Sequence, residues 1–94
     1  MNKKNLSLVI IGKRWSDKVN GNTYHSVRIY NNGEEIAYIP FVYGGNEQYL
    51  TTASEKLQEL ELIPAGTWID IKRYSRENRI PCVIDVSDGR KKDL

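Results

Sequence analysis

The sequence has little cysteine, little histidine and no long apolar run. Of its 94 residues one is cysteine, Cys82, and one is histidine, His25. A single cysteine excludes an internal disulfide and any metal site built from several cysteines, which favours a reducing compartment. The apolar stretch at residues 6–11 is interrupted by Ser7 and is too short for a membrane span or a signal peptide. We therefore expect a cytoplasmic protein with no metal and no other cofactor.

An excess of charge of one sign is also missing. Fourteen lysines and arginines are balanced by twelve acidic residues, so the net charge at pH 7 is +2. This value is too small to indicate a nucleic-acid or membrane partner by itself. The length predicts a single domain over residues 1–94, with a loose charged tail at residues 87–94. Because so small a domain has little core with which to enclose a catalytic cavity, we expect a protein that is not an enzyme.

Alternating apolar patterns predict three strands in the first half of the chain. They cover residues 6–11, 23–30 and 36–43, and turn signals separate them at Asn20-Gly21 and at residues 31–33. The first strand is apolar on both faces, so we expect it in the centre of the sheet. The three strands predict an antiparallel meander.

The period of the apolar residues changes after Gly44-Gly45. Between Tyr49 and Leu60 apolar residues recur mostly at steps of three and four, which predicts a helix with Asn46 as its N-cap and its end near residues 64–66. A Gly-Gly pair before a helix is able to bind an anion, but no Lys-Ser/Thr pair follows it here. A tight strand-to-helix turn is the favoured interpretation.

The last third of the chain predicts two further strands. They cover residues 67–73 and 80–86 and are joined by a charged loop at residues 74–79. The order β-β-β-α-β-β predicts an α+β fold, an antiparallel sheet with one helix packed on one face. One helix cannot cover both faces of such a sheet. The second face is therefore expected to curl, or to meet a partner or another copy in a homo-oligomer.

Aromatic and cationic residues are concentrated around the first turn. Arg14, Trp15 and Lys18 precede it and Tyr24 follows it, so we expect the four side chains at one end of the sheet. Trp and Tyr offer stacking surfaces, while Arg and Lys bind phosphate or carboxylate groups. The set suits a nucleotide, a nucleic-acid strand or an acidic protein surface. In the alternative interpretation, Trp15 closes the sheet edge and the cations are merely solvated.

A second cationic segment lies in the predicted loop and the strand before it. It contains Lys72, Arg73, Tyr74, Arg76 and Arg79. A basic hairpin with an aromatic residue is able to follow a phosphate backbone, with an affinity that falls as salt rises. Acidic neighbours leave open the alternative of a solvated hairpin face.

The remaining candidates for chemistry have structural interpretations. His25 shares a strand face with Val27 and Ile29, which favours a buried histidine hydrogen-bonded to a backbone group. Ser26 points to the opposite face, so a Ser-His nucleophile pair is disfavoured. Cys82 stands in an apolar strand, where burial is favoured over reactivity.

The segment RWSDKVNGNTYHSVRIY, followed by YIPFVYGGNEQYL, resembles a family of small proteins encoded by bacteriophages and prophages. The resemblance covers less than half of the chain. Its matching positions are Arg14, Trp15, Lys18, residues 21–27, Tyr43, Gly44, Gln48 and Tyr49. Two positions depart from it: Ser16 stands where an aromatic residue is usual, and residues 45–46 replace a second aromatic-glycine step. The resemblance implies an accessory protein that acts in the cytoplasm of an infected bacterium by binding.

We therefore interpret the chain as a non-enzymatic inhibitor of a host defence system, of the kind of an anti-CRISPR protein or a nucleotide sponge. It would bind a host protein or a nucleotide through Arg14, Trp15, Lys18, Tyr24 and Tyr43. The alternative is a small nucleic-acid-binding module that uses residues 72–79. A hydrolase or transferase based on His25 comes third, because the fold would have to supply an acidic or nucleophilic neighbour.

Overall fold

The described part of the chain forms one sheet and two helices. The computed structural model describes residues 6–65 and 70–94. Neither helix in these two ranges has the length and apolar composition that a membrane span requires. In chain order the elements are β1 (Leu8–Asp17), β2 (Asn22–Asn31), β3 (Glu34–Tyr43), α1 (Gln48–Glu59), α2 (Ile71–Glu77), β4 (Cys82–Asp88) and a 3₁₀ turn (Lys91–Asp93). The α+β class predicted from the sequence is confirmed.

The four strands lie in the order β3-β2-β1-β4. β1 pairs with β2, and β2 with β3, in antiparallel ladders that confirm the meander. The positive φ angles of Gly21, Asn32 and Gly33 mark the two predicted turns. β1 is central, as its apolar character on both faces predicts.

The last third of the chain differs from the sequence-based prediction. Part of the predicted strand at residues 67–73 lies outside the described residues, and its last three residues begin α2. The carboxylate of Asp70 caps this helix by accepting hydrogen bonds from the backbone N–H groups of Lys72 and Arg73. The predicted loop at residues 74–79 forms most of α2. Because two helices lead the chain back, β4 enters the sheet parallel to β1, and the sheet is mixed rather than antiparallel.

Two smaller predictions at the helix start and at the chain end are also wrong. Asn46 is not the N-cap of α1; Glu47 takes that position without a side-chain hydrogen bond. Residues 87–94 are not a loose tail. Gly89 donates a backbone hydrogen bond to the Arg14 carbonyl at 2.7 Å, and the chain then closes the 3₁₀ turn at Lys91–Asp93.

Both helices pack on one face of the sheet and bury the core there. The buried apolar side chains are Leu6, Leu8, Ile10, Val27, Ile29, Tyr49, Ala53, Leu57, Ile63, Ile71 and Ile80. Gly12 permits the closest approach between the layers, because a Cβ atom there would lie 2.6 Å from Cδ2 of Tyr49. A glycine inside a strand commonly marks such an approach.

We predict that Gly12→Ala destabilises the protein by about 1–3 kcal/mol, since the buried Tyr49 ring would have to move. The sign of the change in the free energy of unfolding shows whether the contact between residue 12 and Tyr49 exists. Without this contact, alanine in a strand interior would be more stable than glycine by about 0.5–1 kcal/mol. Urea unfolding measures the difference. Ser16→Ala, at an exposed position of the same strand, is the control and should change the free energy of unfolding by less than about 0.5 kcal/mol.

Candidate binding site

The sheet face opposite α1 and α2, here called the open face, is covered by no helix of the described residues. Large apolar side chains are exposed on it, namely Tyr38, Phe41, Tyr43 and Val83. Monomeric proteins seldom expose contiguous apolar patches unless the patch has a binding role. The open face is therefore the first place to look for a site.

A β-bulge in β3 decides which residues reach the open face. Val27 pairs with Ile39 and His25 pairs with Val42, so β3 has one residue more than β2 between these pairs. The extra residue lies at Pro40–Phe41, where Phe41 has a φ of 51°. Pro40 fits a bulge in an edge strand because it has no N–H to donate to a ladder. Beyond the bulge the alternation of side chains between the two sheet faces is shifted by one residue, so that Val42 points to the same face as Ile39.

Four aromatic side chains from three strands meet at one end of the open face. Trp15 of β1, Tyr24 of β2, and Phe41 and Tyr43 of β3 form this group, here called the aromatic platform. The rings of Tyr24 and Phe41 stack with their centroids 4.7 Å apart and an interplanar angle of 10°. The rings of Tyr43 and Tyr24 pack in a T-shaped arrangement, with their centroids 5.6 Å apart and an interplanar angle of 73°.

The platform is a compact cluster with an outer surface rather than an open slot. The Trp15 centroid lies 5.9 Å from that of Tyr24 and 6.4 Å from that of Phe41. Together with the Tyr24–Phe41 contact, these distances describe a triangle of nearly parallel rings with no room for another ring between them. Tyr43 is 68% exposed and Phe41 is 43% exposed. A planar ligand would therefore stack on the outside.

A lysine from the 3₁₀ turn lies over the platform. Nζ of Lys91 is 5.9 Å from the Trp15 ring centroid and 6.0 Å from that of Phe41, at the outer limit of a cation–π contact. The turn is closed by the Asp93 carboxylate, which accepts a hydrogen bond from the Arg90 N–H at 2.9 Å. This bond, with the charge of Arg90 and nearby lysines, holds the pKa of Asp93 below its ordinary value.

Of the four residues of the predicted first cluster and the further predicted binding residue Tyr43, the structure brings three together. Trp15, Tyr24 and Tyr43 belong to the platform. Arg14 points to the other face, because neighbouring residues of a strand alternate. There its guanidinium donates to the Asn46 carbonyl at 2.9 Å and lies 3.5 Å from the Asp88 carboxylate. Lys18 is exposed in the β1–β2 turn, beside the platform.

The second predicted cluster is separate from the first. Its residues lie in or just after α2, on the helix side of the sheet, and not in a hairpin. Lys72 pairs with Glu47 at 3.5 Å and Arg73 pairs with Glu77 at 3.0 Å. Tyr74 packs partly buried against the core. Arg76 and Arg79 are exposed.

Sequence reasoning missed two residues of the site, Phe41 and Lys91. Regular alternation predicts Phe41 on the same face as Ile39, and only Pro40 in the strand could have indicated a bulge. Lys91 was recognised only as part of a cationic tail with Arg90 and Lys92, because the tail was predicted to be loose and its contact with the rings depends on the fold.

His25 is a structural residue at the end of β2, and the predicted hydrogen bond to a backbone group is confirmed. The side chain is fully buried. Nδ1 lies 2.8 Å from the Gly44 carbonyl oxygen, which can only accept, so Nδ1 carries the proton and donates it. Nε2 then accepts from the Thr52 hydroxyl at 2.7 Å. The ring thereby ties β2 to the β3–α1 connection and to α1.

Neither the described residues nor known proteins supply a further site. Residues 6–65 and 70–94 hold no group of three metal-ligating side chains. The chain was compared with family models, curated proteins and solved structures. None of the three comparisons finds a match. The geometry of the open face is therefore the feature of the molecule that points to a function.

We predict that the 3₁₀ turn opens in acid. The pKa of Asp93 is depressed in the fold, so the turn is intact above the ordinary carboxyl value of 3.8 and is lost as pH falls through the lower folded value. The NMR shifts of the Lys91 ε-methylene protons, which the Trp15 and Phe41 rings perturb, should then approach free-lysine values. Asp93→Ala should give the same shifts at pH 7 and Asp85→Ala should not. A transition above pH 5 would contradict the assignment.

We predict that His25→Ala lowers the free energy of unfolding by about 2–4 kcal/mol, because it leaves a cavity and two unpartnered polar groups. Urea unfolding measures the loss. The neighbouring variant Thr51→Val, which keeps the Thr52 hydroxyl, should cost less than about 0.5 kcal/mol. An unchanged stability for His25→Ala would show that the ring nitrogens do not hold α1 to the sheet.

Proposed function

We propose that this chain is a non-enzymatic binding protein and that the aromatic platform makes the contact with its target. The single observation that carries the proposal is the meeting of Trp15, Tyr24, Phe41 and Tyr43 on a sheet face that no described helix covers. Tyr and Trp side chains are over-represented among the residues that dominate binding energy at interfaces. Two of the four rings are substantially exposed, so they are accessible without rearrangement.

The state of the two most reactive side chain types supports binding over catalysis. Both ring nitrogens of the buried His25 are engaged in hydrogen bonds, so the histidine is not placed to exchange protons with a substrate. Burial raises the pKa of the Cys82 thiol, which keeps the sulfur protonated and a poor nucleophile at neutral pH. The platform itself contains no nucleophile or general base beyond tyrosine hydroxyls.

The resemblance to phage and prophage proteins suggests the biological setting of this binding. In the proposal, the protein is an accessory factor in the cytoplasm of an infected bacterium. It inhibits a host defence system by occupying a defence protein or by sequestering a nucleotide. The alternative that uses residues 72–79 is less well supported, because Lys72 and Arg73 already pair with acidic side chains and α2 lies on the opposite side of the sheet.

The test compares tagged wild-type protein with Tyr43→Ala in affinity capture from bacterial lysate, with partners identified by mass spectrometry. Tyr43 is 68% exposed, so its truncation should change the stability by only about 0.5 kcal/mol. Truncation of an aromatic hot-spot residue of an interface costs about 2 kcal/mol or more, and we expect the specific partner to be lost.

Val83→Ala is the matched control for this capture experiment. Val83 is 61% exposed on the edge strand β4, away from the platform, and its truncation should leave the captured partner in place. If Tyr43→Ala captured the same partner in the same amount as wild type, the platform would not be the contact surface.

A further inference from the structure

Positive charge is concentrated around the aromatic platform. Residues 13–18 and 88–93 supply six lysines and arginines but only three carboxylates, although the whole chain has a net charge of only +2. The excess of cations at this end is therefore larger than that of the entire molecule. Such an asymmetry is the usual electrostatic mark of an anionic ligand.

The three carboxylates of this end are already engaged by the protein. Asp17 accepts hydrogen bonds from the Val19 and Asn20 backbone N–H groups and from the Asn20 side chain. Asp88 pairs with Arg14 at 3.5 Å. Asp93 closes the 3₁₀ turn with Arg90, as described above.

The lysines near the platform form no close ion pair within the described ranges, although the charge of Lys13 acts on the Asp93 carboxyl and that of Lys91 on the Asp17 carboxyl. Lys13, Lys18 and Lys91 form no ion pair with a carboxylate of the described residues. Lys13 stands two residues before Trp15 in β1, so both side chains point to the open face. Lys91 lies over the rings, and Lys18 lies in the turn beyond them. Three lysines thus belong to the end of the sheet that carries the rings, and their charge would attract an external anion.

Two shallow clefts each have one platform residue in their lining. One, of about 540 Å³, is lined by Trp15, Lys18 and Gly89 among others. The other, of about 290 Å³, is lined by Asn22, Tyr43 and residues 44–46 among others. Trp15 lines the first cleft and Tyr43 the second, and both rings belong to the platform, whose four rings come from β1, β2 and β3. This shape offers a path for an extended ligand and no enclosed pocket for a small one.

We propose that the platform binds single-stranded nucleic acid, with bases stacked on the outer sides of Phe41 and Tyr43 and phosphates held by Lys13, Lys18 and Lys91. The inference rests on the proposed binding role of the platform, and it takes a nucleic-acid strand as the ligand in place of a host protein or a single nucleotide. Base stacking on aromatic rings within a cationic groove is the common mode of binding single strands. A protein partner fits less well, because lysine is depleted in protein interfaces. A duplex also fits less well, because its bases stack on one another and their faces are not available to the rings.

The test measures fluorescence anisotropy with a labelled 12-nucleotide oligothymidine and with the RNA strand of the same length. Tyr43→Ala should weaken binding about 5- to 150-fold, the loss of one stacked base. Tyr43→Phe keeps the ring and should recover most of that loss. Leu60→Ala, which removes an exposed apolar side chain just after α1, is the control and should bind as wild type does.

The salt dependence tests the role of the lysines. With three phosphate contacts, affinity should fall about 20-fold between 50 and 200 mM salt, and Lys91→Gln should reduce the slope of log affinity against log salt by about 0.7. Lys72→Gln, on α2, should leave the slope unchanged. A duplex of the same length should bind at least tenfold more weakly than the single strand.

Three results would overturn the inference: no binding of either strand at 50 mM salt, equal affinity for the duplex, or equal affinity of Tyr43→Ala and wild type. The proposed function is separated from it by the capture experiment. If single strands do not bind and Tyr43→Ala still loses a captured protein, the ligand is a protein and only the inference fails. If Tyr43→Ala retains its captured partner, the proposed function fails.

Discussion

The β-bulge at Pro40–Phe41 is the constraint on which the site depends. In a regularly alternating strand, Phe41 and Tyr43 would share the helix side with Ile39. The extra residue shifts the alternation, so that Val42 pairs with His25 and both rings reach the open face. The left-handed backbone of Phe41 costs about 1–2 kcal/mol. Stacking of this ring on Tyr24 offsets part of that cost, so the bulge and the platform stabilise each other.

Adjacent side chains of a strand point to opposite faces of the sheet, so in two pairs of neighbouring residues one side chain has a structural role and the other lies on the open face. In Arg14-Trp15 the arginine joins the sheet to the β3–α1 connection, while the tryptophan belongs to the platform. In Tyr24-His25 the tyrosine stacks outside and the histidine holds Gly44 and Thr52 inside. The density of unusual residues in this part of the chain therefore arises because neighbouring residues serve two different faces of the sheet. Side chains on one face, as a single cluster requires, would have to come from alternate positions of a strand.

The sequence predicted the meander, its two turns, the central position of β1, the helix α1 and three members of the platform. These features depend on local turn chemistry and on apolar period. The second helix was missed because Ile71, Lys72 and Arg73 also fit a strand, and only the cap at Asp70 decides between them. The parallel direction of β4 depends on that helix. Phe41 and Lys91 required tertiary information, a bulge in one case and an ordered 3₁₀ turn in the other.

The platform stands on an end of the sheet that several contacts hold in place, and this bears on how it would bind under the proposal. Behind it, His25 joins β2 to α1, Arg14 joins β1 to residue 46, and Gly89 continues the parallel ladder. The rings are held against one another before any ligand arrives, so little side-chain entropy remains to be lost on binding. The lysines differ from the rings, because a lysine side chain is long and flexible and is able to follow an anion. Fixed rings would thus set where a ligand stacks, while mobile cations adapt to its charge. Under the proposal, this combination of fixed rings and flexible lysines favours a ligand with flat bases along an anionic chain over a ligand with one rigid surface.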